Sequence, residues 1–162
     1  MDDFQRDLIA LLPRLRRFAR ALARDPADAD DLVQVAIERA LQRSTQWSPG
    51  TRLDSWMFRI VKNVWIDETR ARQRRRRVFE EESAGESVAG ADASSVEARL
   101  LGSEIVNAMA RLPEEQRLAV ALVLVDGMSY RDAADALQIP EGTLTSRLVR
   151  GRNALMAQLE HP

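Results

Sequence analysis

The chain has 162 residues with 24 basic and 25 acidic side chains, enough for one ordinary domain or two small ones of thin stability margin. It contains no cysteine and one histidine, His161, which excludes disulfides, thiol chemistry and a His/Cys zinc site; no carboxylate spacing suggests a metal, and no cofactor is expected. The near-zero net charge hides a segregation: residues 1–79 carry 17 basic against 11 acidic side chains, 80–104 carry 1 against 7, and the remainder 6 against 7.

A cationic N-terminal part suits a polyanion, whereas an acidic spacer repels one. Lys62 is the only lysine. Arginine forks onto phosphate or guanine, although a GC-rich genome gives the same bias. With no apolar run of about 18 residues and a Met-Asp-Asp start, the chain is expected to stay unexported in the cytoplasm, without membrane insertion.

From Phe4 the apolar residues Phe4, Leu8, Leu11, Leu15, Phe18 and Leu22 recur at spacings of four and three, one face of a helix. Pro13 either kinks that helix or opens a new one. Asp25-Pro26 breaks the chain, and Asp28 is placed to cap a second helix with Ala29, Leu32, Val33, Ala36, Ile37 and Ala40 inward. Trp47-Ser48-Pro49-Gly50 reads as a loop. A third helix is expected from about Leu53, burying Leu53, Trp56, Met57, Ile60, Val61 and Val64 and running into the arginine run that ends at Arg77.

Residues 80–102 are Glu, Ser, Ala and Gly with few large apolar side chains, too few to offset the entropy of ordering, and are expected to form a flexible acidic linker. About 22 such residues reach roughly 75 Å when fully stretched. Order is expected to resume at Ser103, with Ile105, Val106, Met109 and Leu112 on one face. Pro113 opens a helix carrying Leu118, Ala121, Leu122 and Val125, which Gly127 ends. Ser129-Tyr130-Arg131-Asp132 is a capping-box variant before a short helix with Ala133, Ala134 and Leu137 inward. Gln138-Ile139-Pro140 is a turn, and a last helix runs from about Glu141 to Leu159 over Leu144, Leu148, Leu155 and Leu159. The expected fold class is all-α: two small helical domains, 1–79 and 103–160, joined by the linker.

Ser129 to Arg152 has the form of a helix-turn-helix, which lays its second helix in the major groove. Thr143, Ser146, Arg147 and Arg150 fall at i, i+3, i+4 and i+7, opposite the leucines, and Arg152 lies to the side where a phosphate would be. The plain alternative is a helical hairpin with a solvated face. Asp30, Asp31, Gln34 and Glu38 make an acid and amide stripe on the second helix; it is either a solvated face or a seat for a basic protein partner. Along the third helix Phe58 and Trp65 are interleaved with Arg59, Lys62, Asn63, Asp67, Arg70 and Arg72. Either the rings stack unpaired bases, with cations tracking the backbone, or they are ordinary core. The run Arg74 to Arg77 should bind phosphate without reading sequence; a nuclear-localisation signal is a less specific reading of it.

With these pieces in order the chain resembles the extracytoplasmic-function (ECF) sigma factors over nearly its whole length. Asp30-Asp31-Leu32-Val33-Gln34, Pro49-Gly50-Thr51, Trp56 to Ile60, Asn63 and Asp67 are similar to that family's region two. Leu112 to Arg117, Gly127 to Tyr130, Ala133-Ala134, Ile139 to Thr143 and Ser146-Arg147-Leu148 are similar to region four. The resemblance implies a non-enzymatic initiation factor whose partners are core RNA polymerase, promoter DNA and an anti-sigma factor. Asp30, Asp31, Gln34 and Glu38 would dock on the beta-prime clamp helices, and region four on the beta flap. Phe58, Arg59, Lys62, Asn63, Trp65, Asp67, Arg70 and Arg74 would take the melting minus-ten element. Thr143, Thr145, Ser146, Arg147, Arg150 and Arg152 would meet the minus-thirty-five element. Val35 stands where many members carry an acid, and Thr145 where a basic residue is frequent. A free-standing helix-turn-helix regulator is the main rival; it leaves the acidic stripe and the third helix unexplained. A sigma-like decoy would have lost the arginines that face DNA, yet Arg147 and Arg150 are present.

Overall fold

The computed structural model describes residues 1–82 and 98–160. Its regular structure is helical throughout the described residues: α1 (Asp3–Leu22), α2 (Pro26–Gln42), α3 (Leu53–Glu82), α4 (Ala98–Arg111), α5 (Glu114–Val120), α6 (Tyr130–Leu137) and α7 (Glu141–Glu160). Single 3-10 and π turns cover Ser44–Gln46 and Ala121–Val125. The ends of the expected linker are thus helical, since α3 runs on to Glu82 and α4 starts at Ala98; its middle lies outside the described residues.

In α1 the Asp2 carboxylate accepts from the Gln5 N–H while the Gln5 side chain accepts from the Asp2 N–H, a reciprocal cap. The helix continues through Pro13 without a break. Pro13 is exposed, so the carbonyl it leaves unpaired faces water, while Leu8 and Leu15 on the other side are held in the core. In α2 the cap is Asp25, which accepts from the Ala27 N–H at 2.8 Å with Pro26 in the first turn; Asp28, the expected cap, is a first-turn acid instead. Phe4 meets Trp47 and Trp56 with ring centroids 5.5 and 6.1 Å apart, which ties the start of α1 to the loop before α3 and to the first turn of α3. Helices α1, α2 and α3 pack pairwise around Leu15, Phe18, Leu32, Met57 and Val61, all fully buried.

The C-terminal unit is built on α7, which packs against α4, α5 and α6. Ser129 caps α6 by accepting from the Asp132 N–H. The helix closes at Gln138, whose φ of 57° is left-handed, with the Ile139 N–H reaching back to the Ala134 carbonyl. That turn sets α7 across α6. At Gly151 helix α7 approaches α5 so closely that a Cβ would lie 2.9 Å from Val120 Cγ2 and 3.2 Å from both Gln116 Cβ and the Gln116 carbonyl oxygen. Gly151→Ala is therefore expected to destabilise the chain by about 1–3 kcal/mol. Gly142→Ala, with open space around the new methyl, should be neutral in the same thermal melt; equal behaviour of the two variants would disprove the close approach.

Four elements differ from the periodic expectation in what they bury. After Leu118 and Leu122 the π turn inserts one residue's worth of rotation, so Val125, expected inward, is 41% exposed and the Asp126 side chain, only 2% exposed, takes its place. Helix α3 is buried on more than one stripe, because it packs on α1 and α2 and also on α6. Phe58 and Trp65 are consequently in the core, whereas Trp56 is half-buried. Ile105 and Leu159, both expected inward, are exposed.

Candidate nucleic-acid and partner-binding faces

Ala29, Leu32, Val33, Ala36 and Ala40 turn one side of α2 into the core, and Asp30, Asp31, Gln34 and Glu38 consequently stand exposed on the other. At the edge of this face Asp28 pairs with Arg72 at 3.1 Å and Arg39 with Asp67 at 3.5 Å, which hold the basic second half of α3 alongside α2. The acid face and the arginine face are therefore neighbours on one scaffold. Asp67, Arg70, Gln73, Arg74 and Arg77 line an open groove along α3, with spacings that keep them on one side of the helix. Asn63 is exposed just before them.

The aromatic and lysine members of the expected minus-ten set sit differently. The Phe58 ring is 1% exposed, meets Phe18 edge-on with centroids 5.0 Å apart, and has the Arg14 guanidinium 5.3 Å from its centroid. Trp65 is 6% exposed, and the Arg117 guanidinium of α5 lies 5.3 Å from its ring centroid. Neither ring offers a face to a base in this arrangement. Phe58 is covered from within its own helical unit, but part of the cover of Trp65 comes from the other unit. Lys62 is buried too, and that burial, then the charge of Arg59, holds its ammonium below the ordinary lysine range.

On α7 the side chains Thr145, Ser146, Arg150 and Arg152 are exposed, and Thr143 is half-buried. The Thr145 hydroxyl donates to the Glu141 carbonyl at 2.9 Å, which occupies it within the helix. Arg147 Nε lies 3.7 Å from a carboxylate oxygen of Glu115 on α5, so its guanidinium is aimed by the neighbouring helix.

A second charged constellation joins the two units, and no local feature of the sequence announces it. Arg14 on α1 donates from Nε and a terminal nitrogen to both oxygens of Asp126, at 3.1 and 2.9 Å, and also reaches Asp54 at 3.4 Å. Arg52 bonds Asp54 and, on α6, Asp132. Arg59 donates to the Asp135 carbonyl at 3.2 Å with the Asp135 carboxylate 4.0 Å away. Arg117 donates to the Leu22 carbonyl of α1 and to Ala110 and Leu112 in its own unit. The Arg52 and Ser129 hydrogen bonds hold the Asp132 carboxyl below its ordinary range. Burial pushes Asp54 up, but Arg52, the Ser55 N–H and Arg14 together outweigh it and hold it low as well. Depressed carboxyls contribute stability above the ordinary aspartate range and lose it as pH falls through the lowered value, so these pairs are fully formed at neutral pH.

Among the described residues no three His, Cys, Asp or Glu side chains are grouped to hold a metal, and no helix is long and apolar enough to cross a membrane.

Residues 8–62 match the family model described as the Sigma2 domain of PhyR, and 103–155 match that of Sigma-70, region 4. Over 158 residues the chain is 35% identical to the ECF RNA polymerase sigma factor EcfG of Rhodopseudomonas palustris (strain TIE-1), spanning 98% of this chain and 86% of that one. The sigma factor RpoE of Bartonella quintana, solved in complex with the anti-sigma factor NepR, is 32% identical and superposes with a TM-score of 0.81 over 99% of both chains. CnrH, solved with the cytosolic domain of CnrY, shares the fold at 22% identity, with a TM-score of 0.73 over 97% of this chain and 87% of that one.

Proposed function

The chain belongs to the ECF sigma factors of RNA polymerase, and from that premise we propose that its exposed faces divide the work of promoter-specific initiation among themselves. Its part in initiation is binding, not catalysis. Asp30, Asp31, Gln34 and Glu38 dock α2 on basic residues of the beta-prime clamp helices, and the C-terminal unit engages the beta flap. Arg59, Asn63, Asp67, Arg70 and Arg74 track the minus-ten strand. Thr143, Ser146, Arg147 and Arg150 read the minus-thirty-five duplex, with Arg152 on phosphate. Phe58, Lys62 and Trp65 act from inside the helical unit, Trp65 becoming available to a base only when α5 withdraws from it. Thr145 has the least part in base recognition, its hydroxyl being engaged by Glu141. The units are taken as 1–79 and 103–160, in the cytoplasm of a bacterium.

The observation that carries this reading is the juxtaposition on one scaffold of an exposed acid face on α2 and an exposed arginine groove on α3. A DNA-binding domain gains nothing from presenting carboxylates to a phosphate backbone, whereas a domain held by a basic protein beside DNA needs both signs side by side. The relative solved with NepR supports an anti-sigma factor as a third partner for this chain.

The test is run-off transcription with sigma-free core polymerase on a library of genomic promoter fragments. Discrete transcripts that need both the chain and core are expected. Duplex binding without core and no transcript with it would instead make the chain a free-standing regulator.

A further inference from the structure

We propose that α1 carries a second phosphate-binding track, the exposed arginines Arg16, Arg17, Arg20 and Arg24, which grips the backbone of promoter duplex beside the minus-ten element. This contact rests on the sigma-factor reading above, which leaves α1 without a role of its own.

Residues 8–24 hold five arginines and no acid. Arg14 is taken by Asp54 and Asp126, and at the start of the helix Arg6 pairs with Asp3. The side chains of Arg16, Arg17, Arg20 and Arg24 have no ion pair or hydrogen bond among the described residues, and Asp25, which follows them, is turned to cap α2. Arg16 with Arg20 and Arg20 with Arg24 stand at i, i+4, and Arg17 with Arg20 at i, i+3, so like charges meet at spacings that destabilise a helix. The helix dipole favours Arg20 in the last turn, but Arg16 and Arg17 lie outside its reach. A face made only for solvation would mix acids among the cations, as the start of α1 does; a bound polyanion removes the repulsion instead.

The position of the stripe points to DNA. Phe4 meets Trp56, Phe18 meets Phe58, and the Leu22 carbonyl shares the Arg117 guanidinium with Trp65. Helices α1 and α3 therefore advance towards the same end of the unit. The arginine end of α1 lies where the α3 groove of Asp67, Arg70, Arg74 and Arg77 begins, and the two cationic tracks adjoin. The rings of α1 are engaged, Phe4 with Trp47 and Trp56 and Phe18 in the core, so α1 offers none on which an unpaired base could stack. Arginines without a ring suit the backbone of a duplex. Arg17 to Arg24 covers about 10 Å of helix axis, and each strand of a duplex carries a phosphate about every 3.4 Å of its axis, so three arginines meet about three phosphates.

The experiment assembles the full chain with core polymerase and follows its affinity for a promoter duplex as salt is raised. Arg17→Gln with Arg20→Gln and Arg24→Gln should flatten the plot of log affinity against log salt by about 2–3 and weaken binding at low salt by about tenfold or more. The loss should be equal on a scrambled duplex, because phosphates carry no sequence. Lysine at the same three positions should keep most of the slope. Arg20→Gln alone should lower it by about 1, whereas Arg43→Gln, at an equally exposed arginine after α2, should leave it unchanged. The melting temperature of the triple variant should hold, since none of the three side chains is buried. An unchanged slope in the triple variant overturns the track. So does weaker capture of core with the DNA slope intact, which would make the stripe a seat for an acidic protein surface, and so does an Arg43→Gln effect as large as that of Arg20→Gln, which would reduce it to net charge. The sigma reading fails separately, through absence of transcripts from the unmodified chain with core polymerase, whatever the slopes show.

Discussion

Phe58→Ala is expected to cost about 3–5 kcal/mol of folding stability, the range for removing a buried aromatic ring. The ring is fully enclosed, edge-on to Phe18 and under the Arg14 guanidinium, with Leu15, Met57 and Val61 also fully buried in the same helical unit. A loss of that size is a large share of the roughly 5–15 kcal/mol that separates a folded domain from its unfolded chain. It should appear in thermal and denaturant melts without DNA or polymerase present. Phe58→Leu keeps most of the apolar volume and should recover much of the loss. The pair therefore separates two roles for the ring. If Phe58 is core, Phe58→Leu retains both fold and promoter opening. If its work is to stack on a base, Phe58→Leu folds well but fails to hold an opened promoter, and near-normal stability of Phe58→Ala would point the same way.

Two readings stood open for Phe58 and Trp65, base platform or core, because periodicity alone does not separate them. The stripe Leu53, Trp56, Met57, Ile60, Val61 and Val64 was legible because one buried face repeats every 3.6 residues, and the structure buries all of it but Trp56, which is half-buried. Residues just off that stripe look alike in sequence whether the second face meets a ligand or another helix. Here it meets other helices, Phe58 against Phe18 and Arg14 of α1 and Trp65 under Arg117 of α5, so the rings are interior, while Arg70, Arg74 and their neighbours reach solvent. Val125 failed for a related reason, since a π turn changes the helical period without a residue type that announces it. The acid stripe on α2 was legible in full because its helix has a single buried face. The Ser129 cap and the turn at Gln138 were legible because they depend on neighbours three or four residues away. The Arg14–Asp126 pair was not legible, as its partners lie 112 positions apart and each taken alone is an ordinary surface charge.

The division of labour between the two helical units predicts opposite failures for two variants. Arg147→Ala should lose promoter discrimination worth about 1–3 kcal/mol, the value of one good arginine–guanine contact, while keeping its affinity for core polymerase. Asp31→Ala with Gln34→Ala should do the reverse: weak capture of core, and unchanged binding of the isolated chain to duplex DNA. Both sites suit this comparison because neither set is buried. Asp31 and Gln34 are exposed on α2, and Arg147 is held only by a 3.7 Å contact to Glu115, so substitution should leave the melting temperature nearly unchanged. Arg152→Ala supplies a control of a different kind, since loss of a phosphate contact weakens every sequence alike and reduces the salt dependence of binding. Core affinity is read from polymerase titration, and discrimination from the ratio of binding to a promoter fragment and to a scrambled one. Loss of the same function in both variants would break the assignment of clamp docking to the α2 face and of duplex reading to α7. A loss confined to discrimination in Arg147→Ala and to core capture in the α2 variant would place each role on its own helix.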